Sequence, residues 1–494
     1  MNVIENTTRK VTAKNTNNVL GNSSVSSTLR IQLLAGIAIA LAITASLLVA
    51  TEAGAQNRAK NPPPKDQPTS FMPVIEEPFE VVHERDKANR SRVNATATRR
   101  LEERYDLTRR VDPEVKMTHG KPIPVGPTAR LKNVTWEQLG RMSPEEIRAK
   151  GVFPYLPLPH ANHPVGGMVF PQSHIKLQPR LERFDLDFDI PDHFLPEFPP
   201  AIFLTTRPDL GDVSKGQLVD VNNFYSLFNG ILNPKQLDGL RLLVTQFPQQ
   251  QFNATDDRKT DRKDGMQGVA CFDCHVNGHT NGAFHLVGDI RPQENRRRIE
   301  TPSLRGVNIQ RLFGSQRALK TVEDFTEFEQ RAAYFDGDPV IATKKGINIL
   351  DRGHQVHEMS EFQEIMDFPP APKLNIYGRL DRKKATPAEI RGEELFFGKA
   401  NCSQCHTPPF YTDNLMHDLM VERFYVPRME GGMMITKQGP IKTFPLRGIK
   451  ESPPYLHDGR LLTLEDTVEF FNLVLELNLA PQEKSDLVLF LRAL

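Results

Sequence analysis

The chain has little cysteine, almost no tryptophan and no surplus of either charge. Four cysteines in 494 residues cannot supply the disulfide framework of a small secreted scaffold. A net charge of +1 excludes the strong basic excess that a nucleic-acid partner requires. Trp136 is the single tryptophan, and residues 31–50 are the one apolar run whose length approaches that of a bilayer span. Proline, by contrast, is abundant, and much of it lies before residue 210.

The N-terminus reads as an export segment. A polar stretch with Arg9, Lys10, Lys14 and Arg30 precedes the apolar run, and Ala53-Gly54-Ala55 then offers a small-residue cleavage site. Residues 1–56 are expected to be a signal peptide, with an uncleaved membrane anchor as the alternative. Either reading exports the remainder, so the expected location is the periplasm. Residues 57–210 are rich in proline and charge, as in Pro62-Pro63-Pro64 and Arg99-Arg100. They are expected to form an irregular extension, its first part a loosely ordered arm that buries little apolar surface.

All four cysteines fall in two CxxCH motifs, Cys271-Phe-Asp-Cys274-His275 and Cys402-Ser-Gln-Cys405-His406. CxxCH is the attachment signal for c-type haem, with two thioethers to the vinyl groups and the next histidine as proximal iron ligand. A single copy also suits a redox CxxC or half a zinc site. Two copies with no cysteine left over point to two covalently bound haem c groups. Export agrees with this, because covalent haem is assembled outside the bacterial cytoplasmic membrane.

The segments around the motifs have helical signals. Asn233-Pro234 opens a helix with Leu237, Leu240, Leu243 and Val244 on one face. Thr386-Pro387-Ala388-Glu389 is a capping box with proline in the first turn, leading into the second motif. Pro481 to Leu494 reads as a closing amphipathic helix. Residues 301–330 align without gaps to 443–472 with ten identities, among them Leu304/Leu446, Arg305/Arg447, Gly306/Gly448 and Thr321/Thr463. Roughly two identities would arise by chance at ordinary composition. The expected fold is all-α, with two tandem, duplicated cytochrome c-like domains at 211–378 and 379–494 behind the Pro-rich extension.

These features resemble the bacterial di-haem cytochrome c peroxidase family, which also contains the di-haem enzyme that matures methylamine dehydrogenase. The resemblance covers roughly residues 215–494. It is carried by Phe410-Tyr-Thr-Asp413, Met416-His417, Leu446-Arg447-Gly448, Pro454-Tyr455-Leu456-His457-Asp458-Gly459 and Thr463-Leu464-Glu465. It implies an oxidoreductase that reduces hydrogen peroxide with electrons from a small donor, a cytochrome c or a cupredoxin. His275 would then be the proximal ligand of the reactive haem, and His406 that of the electron-transfer haem. Glu358, in His357-Glu358-Met359, would be the distal acid/base, with a solvated helix glutamate as the bland alternative. A homodimer is a candidate assembly.

The sequence also departs from the family pattern. The inter-haem tryptophan falls opposite Ser315 and the distal glutamine opposite Phe325. The sixth ligand of the second haem falls opposite Phe471, which cannot bind iron. An asparagine that helps to hold calcium falls opposite Glu300, whose carboxylate is a candidate calcium ligand. Replacement iron ligands are sought in the Met429–Met434 cluster, with Met433 as the candidate, and in His285 for the first haem. Ordinary packing and a loop histidine are the alternatives. His279 lies too near the proximal ligand to reach across a ring. The departures leave two other readings open, an oxidase of a protein or organic substrate and a pure electron carrier.

Overall fold

Two helices begin in the same way and are crossed in the same way. Asn233 and Thr386 each cap a helix, Pro234–Val244 and Pro387–Phe397, through a reciprocal capping box with proline in the first turn. Each helix then meets the last helix of its half at a glycine. A Cβ on Gly239 would lie 1.9 Å from the Glu358 carbonyl oxygen, and one on Gly392 would lie 2.0 Å from that of Asp486. Only glycine permits backbones to cross so closely, which places His357–Gln363 and Pro481–Ala493 against the two starting helices.

The computed structural model describes chiefly residues 101–108, 110–124, 130–131, 133–152, 194–245, 270–282, 284–288, 296–335, 352–419, 428–430, 433–435 and 440–494. These belong to one unit, Gln67–Leu494. It is rich in helix, but the expectation of a purely α architecture is incomplete. Among the described residues there are also four two-stranded antiparallel ladders, including Phe284–Gly288 with Arg296–Glu300 and Met416–His417 with Ile441–Lys442. No helix among the described residues is long and apolar enough to cross a membrane. Residues 31–50 lie outside them.

The aligned segments share their backbone in detail. Gly306 and Gly448 both take left-handed φ, at 72° and 71°. Phe313 N–H donates to Leu319 O, and Tyr455 N–H to Leu461 O, each at 2.7 Å. Thr321 and Thr463 then cap helices through Asp324 N–H and Asp466 N–H. Each glycine N–H reaches back to the end of its half, Gly306 to Met366 O at 3.1 Å and Gly448 to Leu494 O at 3.0 Å.

Each motif rests on its own apolar cluster. Phe272 and Cys274 pack with Leu240, Leu243, Met359 and Phe362. Phe396, Tyr411 and Phe490 stack edge to face beneath the second motif, with Phe396 at 5.6 Å from Tyr411 and 5.2 Å from Phe490.

The first part of the extension, expected to be a loose arm over 57–130, buries Leu101 and Tyr105. Leu101, Tyr105, Leu139 and Ile147 are buried in the core around the second motif, and Tyr105 Oη donates to Arg460 O. Ile202 and Leu204 enter the core around the first motif, before the expected boundary at 211. Scattered apolar residues can be buried wherever a preformed face receives them, even when average hydropathy is low. Polar contacts fix the strap as well. Glu451 Oε1 accepts from Thr118 N–H and Oγ1, while Glu451 Oε2 accepts from Arg305 Nη1 at 2.8 Å. Arg492 binds both Asp112 and Glu465.

Burial pushes the Glu451 carboxyl up, but Arg305 and Thr118 outweigh it and hold its pKa at about 2. A depressed carboxyl pKa stabilises the fold above the usual value of 4.5, and the gain is lost as pH falls towards 2. Glu451→Gln leaves Arg305 buried without its counter-charge and is expected to cost about 3–5 kcal/mol. Denaturant unfolding of both proteins across pH 2–7 checks this, with a shallower acid dependence expected in the variant.

Candidate functional site

The CxxCH segments are short turns whose first cysteine carbonyl accepts from the histidine N–H, Cys271 O from His275 and Cys402 O from His406, each at 2.9 Å. This puts both cysteines and the histidine on one side of the turn. None of the four cysteines is in a disulfide. Burial pushes the Cys402 thiol up to about 12, and burial followed by Asp413 raises that of Cys405.

The imidazoles are oriented in the same sense. His275 Nδ1 bonds Pro302 O at 2.8 Å, and His406 Nδ1 bonds Tyr411 O at 2.9 Å. The Phe444 backbone also lies against His406, and Phe444 is the repeat partner of Pro302. With Nδ1 donating to a carbonyl, Nε2 is left as a lone-pair donor. Burial lowers the His275 pKa to about 4 and lowers that of His406, so both rings are neutral at pH 7. Two thiols, a neutral imidazole with a fixed tautomer and an apolar bed fit covalent haem at each motif. The residues that would hold it are Cys271, Cys274 and His275, and Cys402, Cys405 and His406. Bound there, haem supplies one-electron iron chemistry.

His279 is settled by its contacts. Its Nδ1 bonds Ser303 Oγ and its Nε2 bonds Glu451 O, both at 2.8 Å, so neither nitrogen is left for iron. His285 stands on a strand opposite Ile299, and Met433 stands opposite Glu430. The side chains of both lie outside what the structure describes. Cys405, Asp413 and His417 place ligand atoms within 4.8 Å of one another. A thioether at Cys405 takes the thiolate out of that group, and His417 Nε2 already pairs with Asp413 at 2.7 Å.

Glu358, the candidate distal acid/base, has a buried Oε2 with no hydrogen-bond partner among the described residues. It lies at the helix crossing on Gly239, where Asp486 lies at the crossing on Gly392. Its neighbours are His354 at 3.4 Å and Asp238. Burial raises its pKa, and a hydrogen bond shared with Asp238 raises it further. Phe325 packs on Phe313 and Phe471 on Phe470, so the positions of the family's glutamine and second sixth ligand are aromatic packing. Residue-type reasoning did not find the carbonyls of Pro302 and Tyr411. The aligned pair Pro302/Phe444 was the available signal.

No protein-family model matches the chain. A cytochrome-c peroxidase, IdrP1, of Pseudomonas sp. (strain SCT) is 29% identical over 161 residues, 24% of this chain and 42% of that protein. The methylamine utilization protein MauG of Methylorubrum extorquens is 30% identical over 123 residues, 21% of this chain and 33% of that protein. Over these stretches this chain is similar to cytochrome-c peroxidases and to MauG. Its matched stretches span between a third and about two fifths of those relatives' lengths. A crystal structure of a MauG-like protein associated with microbial copper homeostasis aligns at a TM-score of 0.37 with 19% identity, over 53% of this chain and 88% of that one.

If the two carbonyl-locked imidazoles are the proximal ligands in this chain, each can be removed separately. His275→Gly and His406→Gly should each retain both thioether-bound haems and change the absorption spectrum of one. Added imidazole should restore the wild-type spectrum. A spectrum unchanged in either variant contradicts the assignment.

Proposed function

We propose that this chain is an exported di-haem c-type oxidoreductase that reduces hydrogen peroxide with electrons from a small periplasmic cytochrome c or cupredoxin. The observation that carries this reading is the paired geometry of His275 and His406, each neutral and held by a backbone carbonyl. The equivalent turns and caps after each motif support two duplicated domains, behind a 57–210 extension whose described residues Leu101, Tyr105, Leu139 and Ile147 pack in the core around the second motif. The signal peptide at 1–56 belongs to the same reading, with an inner-membrane anchor as its alternative.

Reduction of one hydrogen peroxide to two water molecules takes two electrons and two protons. In this reading the domain at His406 accepts electrons from the donor and the domain at His275 delivers them to peroxide. The chain's residues keep the imidazole lone pairs directed and the surroundings dry. Calcium at Glu300 is a further element of the proposal. Burial drives the Glu300 carboxyl well above its usual pKa, and Thr280 Oγ1 lies 3.1 Å from its Oε1. A bound ion would have to hold it ionised.

A second reading, oxidation of a protein or organic substrate, is favoured by the aromatic packing at Phe325 and Phe471. The two separate by stoichiometry. The half-reduced protein mixed with peroxide and reduced donor should oxidise two donors per peroxide, and no donor oxidation contradicts peroxide reduction. Glu358→Gln is expected to lower the rate, and a change of less than about tenfold would contradict the acid/base role. Loss of a general acid/base would lower the rate by about 10²–10⁴-fold. Steady-state turnover distinguishes the two.

A further inference from the structure

Lys442 is a buried ammonium at the junction of the two halves. It is 3% exposed. Its Nζ donates to Gln310 Oε1 at 2.8 Å and lies 5.4 Å from the Phe313 ring centre and 5.6 Å from that of Phe444. Its backbone N–H donates to Ser315 O at 2.9 Å. Gln310, Phe313 and Ser315 belong to the segment that follows the first motif. Lys442 itself lies on the strand paired with Met416–His417 beyond the second. Two residues on, the Phe444 backbone touches His406.

The charge balance here is unusual. Among the described residues no ion pair reaches Lys442. The charged neighbour that acts on it is another cation, Arg317, whose Nε is buried with no hydrogen-bond partner. An amide oxygen and two ring faces solvate an ammonium poorly compared with a carboxylate. A buried ammonium beside a second cation is stabilised by an anion.

We propose that Lys442 is the counter-cation of a haem carboxylate at this junction and thereby sets the reduction potential of the haem held by Cys402, Cys405 and His406. This rests on the di-haem reading above. Haem c brings two propionates per group, and they are the anions such a fold acquires on maturation. A fixed positive charge favours the reduced iron, which bears one charge fewer, and so raises the potential. Lys442 touches no reacting atom in this account. It is a positioning residue that tunes the electron-entry side, where the family's inter-haem tryptophan is replaced by Ser315.

The test uses the matured full-length protein with Lys442→Met, Lys442→Gln and Lys442→Arg. Pyridine haemochrome spectra count haem, and optical redox titration reads both midpoint potentials. Lys442→Met is expected to retain two haems and move one midpoint to a more negative value, with the other moving less. Lys442→Arg is expected to stay near the wild type. If Lys442→Met does not fold, Lys442→Gln keeps the polar contact to Gln310 and should show the same shift. Two bound haems with unmoved midpoints in the neutral variants overturn the role of Lys442 and leave the di-haem reading intact. A wild-type chain that acquires no haem overturns the reading beneath it.

Discussion

Two hydrogen bonds from imidazole to backbone carbonyl organise the chemistry of this molecule. Pro302 O and Tyr411 O each take the Nδ1 proton of the histidine that ends a CxxCH motif. A histidine left free in a loop would exchange tautomers and rotate. Here the ring is fixed, neutral and directed through Nε2. Much of the surrounding fold serves to hold those two carbonyls. Tyr411 is held by its ring in the Phe396–Phe490 cluster and by its hydroxyl on Gly378 O. Pro302 is held by a neighbour on each side, with Thr280 Oγ1 donating to Thr301 O and Leu304 N–H donating to Gly278 O.

The segments around the motifs are joined by buried polar groups as well as by apolar packing. Arg305, just past the carbonyl that orients His275, pairs with Glu451 from the later repeat, and both side chains are almost fully buried. The Glu451 backbone carbonyl accepts from His279, three residues after that loop turns. Thr118 of the extension completes the cluster. Such pairs add little net stability when formed but penalise any arrangement in which a partner is missing. They therefore fix the register of the first motif, the later repeat and the extension.

What was legible in the sequence was local. Asn233-Pro234 and Thr386-Pro387 specify their own helix starts, because a cap and its N3 partner lie three residues apart. The aligned repeats foretold matching turns because Gly306 and Gly448 occupy backbone positions that disfavour a side chain. The surroundings of Glu358 were not legible. Its neighbour in sequence is methionine, as in the family's motif, but its neighbour in space is Asp238, and only the crossing at Gly239 reveals that. The extension misled for a related reason. The composition of 57–130 is that of a loose arm, but Leu101 and Tyr105 are buried in a core built elsewhere. Lys442 carried no motif, and its burial depends on residues more than a hundred positions away.

The most direct test of the account is peptide mass mapping of the matured protein under conditions that preserve thioethers. The account expects haem on the peptide containing Cys271–His275 and on the peptide containing Cys402–His406, with no free thiol on either. Free or metal-bound thiols at one or both motifs would contradict it.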